Sequence, residues 1–213
     1  MLRPGSIDRL ARGLAAAGGL WLLAGCGLAG RAPAPTAGEP VPPPAALTTR
    51  FDAAVAQLAA GDEADAAARF RALATEYPGY AGPLLNLAII HSRRGEEGAA
   101  LAYLAAAARS CERCGAVWNE LGLIRRREGR FGDAELAYRR AIESEPGFGL
   151  AYYNLAVLYD LYLQRPDLAL ELYRQYLDGT PDAALSAAVS RWVTDLERRV
   201  QAPATAAKAA GTS

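Results

Sequence analysis

Three cysteines and one histidine are the residues of this 213-residue chain best suited to covalent or metal chemistry. Cys111 and Cys114 stand as Cys-Glu-Arg-Cys, a spacing shared by redox dithiols, haem attachment and half of a zinc site. Each of those chemistries needs more than the spacing. A redox dithiol needs a strand–helix context, and the flanking sequence reads as helix. Haem attachment needs histidine after the second cysteine, where Gly115 stands. A structural zinc wants four ligands, and His91 is the only imidazole. The two thiols are therefore expected to pair or to stay free, depending on the redox compartment. His91 has no nucleophile or carboxylate at a suggestive spacing and is expected to be a packing residue. No Ser/His/Asp pattern, phosphate-binding glycine loop or metal-ligand helix is present. The expectation is a protein that is not an enzyme, with no metal and no cofactor.

The elements around these residues follow from composition. Forty-eight residues are alanine, while phenylalanine and tryptophan together number seven. Such a chain favours helices that approach closely through small side chains. Its 23 basic residues balance 23 acidic ones, which argues against nucleic acid as a partner, since that needs a basic face.

Residues 1–25 read as an address. Arg3, Arg9 and Arg12 outweigh Asp8, and Gly13 to Gly25 then runs without a charge. At about 1.5 Å per residue that run is too short to cross a bilayer core of about 30 Å, but it suits a secretory signal. It ends in Leu23-Ala24-Gly25-Cys26, which resembles the lipobox of bacterial lipoproteins. The resemblance implies cleavage before Cys26, diacylglycerol and palmitate-type acylation there, and a chain anchored in the membrane by lipid. Gly27 in place of Asp implies the outer membrane, facing the periplasm. Loss of the signal leaves 20 basic and 22 acidic residues. In an oxidising periplasm Cys111 and Cys114 are expected to form a local disulfide. Residues 26–46 hold six of the thirteen prolines and are expected to act as an extended tether reaching roughly 60 Å.

From residue 47 the chain repeats with a period of 34. Gly61, Gly95 and Gly129 fall in register, as do Ala66, Ala100 and Ala134, and Phe70, Leu104 and Tyr138. The third unit reads Trp118-x-x-Leu121-Gly122, then Ala134, Tyr138, Ala141 and Pro146. This resembles the tetratricopeptide repeat in period and residue type. The fourth unit fits if one residue is inserted near Gln164–Pro166. The resemblance implies an all-α helical-repeat solenoid of four helix pairs, over 47–80, 81–114, 115–148 and 149–182. Residues 183–200 carry one apolar stripe and are expected to form a capping helix. The remainder, 201–213, shows no periodicity and is expected to be disordered.

Tetratricopeptide stacks bind peptides on the concave face made by the first helix of each pair. In this register that face presents Leu85, Asn86, Ile89 and Arg93, then Asn119, Leu123, Arg126 and Arg127, then Tyr153, Asn154, Val157 and Asp160. Asn86 and Asn154 match a position where the family often places a ligand-contacting asparagine. Tyr153 and Tyr162 lie outside the packing positions and are expected to be exposed anchors. The clustered arginines and apolar spots suit a segment with acidic and aliphatic residues. The resulting expectation is a lipid-anchored scaffold for envelope proteins, similar to the assembly factors of pilus and secretion systems. An adaptor for peptidoglycan hydrolases or synthases, and a redox protein using Cys111 and Cys114, are the alternatives.

Overall fold

The computed structural model describes residues 43–111, 113–179 and 183–210. The signal segment, Cys26, most of the tether, Glu112, Pro181 and residues 211–213 lie outside them. The chain divides into two compact units, one ending at Arg69 and the other beginning at Phe70. In the first, helix α1 (Ala45–Ala59) starts two residues before the expected boundary at 47, directly after Pro44. The Thr48 N–H donates to the Pro44 carbonyl at 3.1 Å, so Pro44 opens the first helical turn. Helix α2 (Glu63–Glu76) follows, its first turn capped by the Asp62 carboxylate, which accepts the Asp65 N–H at 3.2 Å.

The second unit holds α3 (Ala81–Arg93), α4 (Glu97–Ser110), α5 (Gly115–Arg127), α6 (Phe131–Ser144), α7 (Gly149–Val157), α8 (Pro166–Asp178) and α9 (Ala183–Ala210). No strand occurs among the described residues. Helices α3 and α4, α5 and α6, and α7 and α8 pack as pairs, while α3, α5 and α7 also touch in sequence order. The fold is an all-α helical-repeat solenoid.

Small residues set the spacing within a pair. A Cβ on Gly122 would stand 2.4 Å from the Tyr138 ring, so α5 and α6 approach until that ring lies on bare backbone. Tyr138, Ala134 and Ala141 are fully buried beneath it. Phe70, Leu104 and Tyr173, the in-register counterparts of Tyr138, are buried too.

Each turn inside a pair is built alike. Gly61, Gly95 and Gly129 take φ of 91°, 74° and 75°, a left-handed conformation that glycine adopts without penalty. The following N–H then returns to the carbonyl five residues back: Asp62 to Gln57, Glu96 to His91 and Arg130 to Arg125, at 3.0, 3.0 and 2.9 Å. The fourth unit is one residue longer and handles the excess in two places. Leu158–Tyr162 forms a π-helical turn, in which the Leu163 N–H reaches the Leu158 carbonyl at 3.0 Å. Gln164 then occupies the glycine's place with φ of 52°. A π turn absorbs one extra residue without breaking the helix.

Helix α9 packs on α8 and buries Leu185, Val189 and Leu196. It does not stop near residue 200 but runs to Ala210, so residues 201–210 are helical where disorder was expected. Six alanines between 202 and 210 supply the strongest intrinsic helix former, which counts even without apolar periodicity. Among the described residues no helix is long and apolar enough to cross a membrane.

Candidate functional site

The face shared by α3 and α5 is set by helical spacing. Leu85, Ile89 and Arg93 follow one another at four-residue intervals on α3, and Glu120, Leu123 and Arg127 at three and four on α5, so each set forms one stripe. Leu85, Ile89 and Leu123 are partly buried, and Arg93 and Arg127 are exposed. Leu85 leans on the core shared by α3, α4 and α5. The two stripes are tied together where Arg127 Nη2 donates to Ser92 Oγ, a buried hydroxyl on α3.

Glu120 opens the α5 stripe, two turns before Arg127. Burial pushes its carboxyl up to about 7, against the opposing pull of the Arg127 and Arg93 guanidiniums. Desolvation outweighs two nearby positive charges here, because removing a carboxylate from water disfavours its ionised form more strongly than the guanidiniums favour it. Glu120 was not among the residues singled out from sequence. The signal was present in the register, since Glu120 lies 34 residues after Asn86 and 34 before Asn154.

The other residues assigned to this face are committed elsewhere. Asn86 is buried and its Nδ2 donates to the Gly82 carbonyl one turn back, at 3.0 Å. Asn154 Nδ2 donates to Asn119 Oδ1 at 2.8 Å, and both side chains are buried. The Asn119–Asn154 pair joins α5 to α7, while Asn86 bonds within its own helix. The three consecutive arginines diverge. Arg125 pairs with Glu128 at 2.8 Å, and the buried Arg126 lies 5.6 Å from the centroid of Tyr162. Only Arg127 reaches the shared face.

The fourth unit is closed. Tyr153, expected as an exposed anchor, is 2% exposed. It packs against Tyr176 at 5.6 Å and stacks with Trp192 of α9 at 6.3 Å. Val157 is buried as well, and Asp160 accepts a hydrogen bond from Arg199 of α9 at 2.8 Å. Tyr162 alone of the two tyrosines stays open, 37% exposed and 5.1 Å from Phe131. The accessible part of the face is therefore the stretch over α3 and α5.

Tetratricopeptide models match residues 49–80, 115–148 and 150–182. These stretches are tetratricopeptide repeats. No curated protein matches the sequence. Among solved structures, PilF of Pseudomonas aeruginosa is similar at 20% identity and a TM-score of 0.62, covering 73% of this chain and 69% of its own. A thermophilic tetratricopeptide protein of Thermus thermophilus gives 23% and 0.60, covering 70% and 80%. YrrB, described as a tetratricopeptide protein with an unusual peptide-binding site, gives 22% and 0.50, covering 68% and 75%. At these identities the likeness is one of fold.

The chemistry-bearing residues of the helical-repeat array have structural settings. Cys111 and Cys114 are joined by a disulfide with Cα atoms 5.6 Å apart, between α4 and α5. His91 stacks on Tyr103 at 5.2 Å, and its Nδ1 lies 2.5 Å from Glu96 Oε2. Glu96, five residues on, reaches His91 across the glycine turn at a spacing not singled out from sequence. Among the described residues no three His, Cys, Asp or Glu side chains gather to hold a metal.

On the side of the second helices a cleft of about 340 Å³ opens among Ile142, Tyr152, Leu155, Tyr159, Leu168 and Leu172. Two of its polar lining residues are committed to one another: Tyr159 donates to Glu135 at 2.6 Å, and Arg139 donates to both Tyr159 and Glu135. Burial alone would raise Glu135, but these bonds outweigh it and hold the carboxyl below its ordinary value. The trio clasps α6 to the π turn rather than presenting free groups to the cleft.

Proposed function

We propose that this chain is a non-enzymatic adaptor, lipid-anchored at Cys26 on the periplasmic side of the outer membrane, that takes a short segment of an envelope protein on the face of α3 and α5. The observation that carries the reading is the pairing of an apolar strip, Leu85, Ile89 and Leu123, with the exposed cations Arg93 and Arg127. That combination fits a segment in which aliphatic residues alternate with acidic ones. Peptide binding by YrrB on the same fold supports the general mode. The lipobox and proline-rich stretch ahead of the repeats support the location. A role in assembling a pilus or secretion complex follows from that architecture by analogy.

The test is photocrosslinking in intact cells with the probe at Leu123 and, as control, at Leu136, which is 65% exposed on α6. Capture of a pilus or secretion component at Leu123 alone supports the reading. Equal capture at both positions, or capture at Leu136 only, refutes the assignment of the face. Cys26→Ser should release the protein from membranes, and unchanged fractionation would refute the anchor.

A further inference from the structure

Two successive repeats each leave a cleft on the side of the second helices, and the two are filled differently. The cleft between α4 and α6, of about 390 Å³, is lined by Ala108, Trp118, Arg140 and Glu143 among others. There the chain supplies its own cation: the Arg140 guanidinium lies over the Trp118 ring, 4.3 Å from its centroid. The negative face of the ring attracts a guanidinium placed in this way. The cleft of about 340 Å³ between α6 and α8 is the counterpart one repeat further on. Tyr152 stands 34 residues after Trp118, and Ile142 stands 34 after Ala108. Gln175 stands 35 after Arg140, the offset that the extra residue of the fourth unit imposes. The aromatic ring is kept, the wall becomes more aliphatic, and the cation is gone.

The charges around this second cleft do not balance. Arg139 is drawn onto Glu135 and Tyr159, and Arg174, next to Gln175, turns to Glu197 of α9 at 2.5 Å. Glu143 on α6 and Glu171 on α8 remain, one on each wall and both exposed. Among the described residues neither carboxylate enters an ion pair or a side-chain hydrogen bond. Leu155, Leu168 and Leu172 lie in the same lining and make its surface apolar. We propose that this cleft receives an arginine from a basic, aliphatic-containing segment of a partner protein. Its methylene stem lies on the leucines, and its fork of donors is shared by Glu143 and Glu171 beside Tyr152. The incoming side chain does for the fourth unit what Arg140 does from within for the third. The surface is separate from the α3–α5 face, takes the opposite charge, and does not rest on the adaptor reading.

The experiment uses the full chain and short labelled peptides with Leu-Arg-Leu at their centre. Matched peptides carry citrulline instead, which keeps the shape of arginine and lacks its charge. Fluorescence anisotropy at low salt gives Kd. The arginine peptide should bind about tenfold more tightly than its citrulline partner, and added salt should erase most of that difference. Glu143→Gln combined with Glu171→Gln should bring the arginine peptide down to the citrulline level. Gln175→Arg restores the cation of the preceding unit and should weaken the arginine peptide by about tenfold. Circular dichroism checks that each variant keeps its helicity; if Gln175→Arg loses it, the two exposed glutamates decide alone. Leu123→Gln, on the α3–α5 face, should change nothing. The proposal is overturned if the arginine peptide fails to bind at about 1 mM, or if arginine and citrulline peptides bind equally. It is overturned as well if the glutamate pair or a folded Gln175→Arg binds like the parent, or if Leu123→Gln costs as much as the glutamate pair. The first four results leave the adaptor reading untouched, and the last would move the peptide onto its face.

Discussion

Replacing Gly122 by alanine tests whether close helix approach holds each pair together. The added methyl would stand 2.4 and 2.5 Å from two carbons of the Tyr138 ring and 2.9 Å from a third. Ordinary carbon contacts lie near 3.5–4.0 Å, so ring or helix must retreat by about 1 Å. The ring has nowhere to go, because Tyr138 is fully buried beside Ala134 and Ala141. Overpacking of this kind costs about 1–3 kcal/mol and occasionally more. Against it stands the helix-propensity gain of Gly→Ala, about 1 kcal/mol. The net expectation is a loss of up to about 2 kcal/mol, or up to several degrees in Tm. Gly98→Ala in α4, where a Cβ meets nothing within 4 Å, should instead be neutral or stabilising by up to about 1 kcal/mol. Urea unfolding followed by circular dichroism measures both. Combining Gly122→Ala with Tyr138→Leu should recover part of the loss, since the two positions touch. A stabilised Gly122→Ala single variant would refute the close-approach argument outright.

Gln164→Gly should stabilise by about 1 kcal/mol, because it relieves a left-handed backbone at φ 52°; a loss in Tm would show that the Gln164 side chain contributes more than its backbone costs. Reducing or removing the Cys111–Cys114 bridge, which closes a four-residue loop, should lower stability by no more than about 2 kcal/mol by loop-closure entropy. Two free thiols in the unreduced, denatured protein would contradict the bridge. Glu120→Gln should stabilise at pH 8 by about 1–3 kcal/mol and by about a quarter of that at pH 5. The native carboxyl holds its proton up to about 7 and the unfolded one releases it near 4.5, so the native state is penalised increasingly as pH rises between those values. Chemical denaturation at both pH values reads the difference, and an equal effect at both would refute it.

The repeat was legible because its signals are local and recur. Gly61, Gly95 and Gly129 needed only their shared spacing, and the extra residue of the fourth unit showed as a break in that spacing before its π turn was seen. The face was harder to read, because register says which side a residue takes but not what covers it. Tyr153 and Asp160 hold groove positions in the register, yet Trp192 and Arg199, 39 residues further on in each case, close over them. Asn119 and Asn154 satisfy one another, a pairing that single-helix reasoning misses. Glu120 shares its register position with Asn86 and Asn154, so the repeat pattern does not mark it; its raised titration arises from burial, which no spacing rule encodes.

Helix α9 also fixes how much of a partner can be read. By covering α7 it leaves two adjacent helices open, and with axes about 10 Å apart these present a track of roughly 20 Å, enough for about six extended residues. A contact of that length falls below the size of stable interfaces, where micromolar dissociation constants and bound lifetimes under about a second are usual. On the proposed adaptor reading the array samples its partner rather than clasping it. For a protein held at a surface, what such brief contacts lack in strength is supplied by confinement: a partner released within reach of the anchor is recaptured before it diffuses away. If Cys26 carries the proposed anchor, cutting the chain between it and α1 should weaken association without altering any residue of the face.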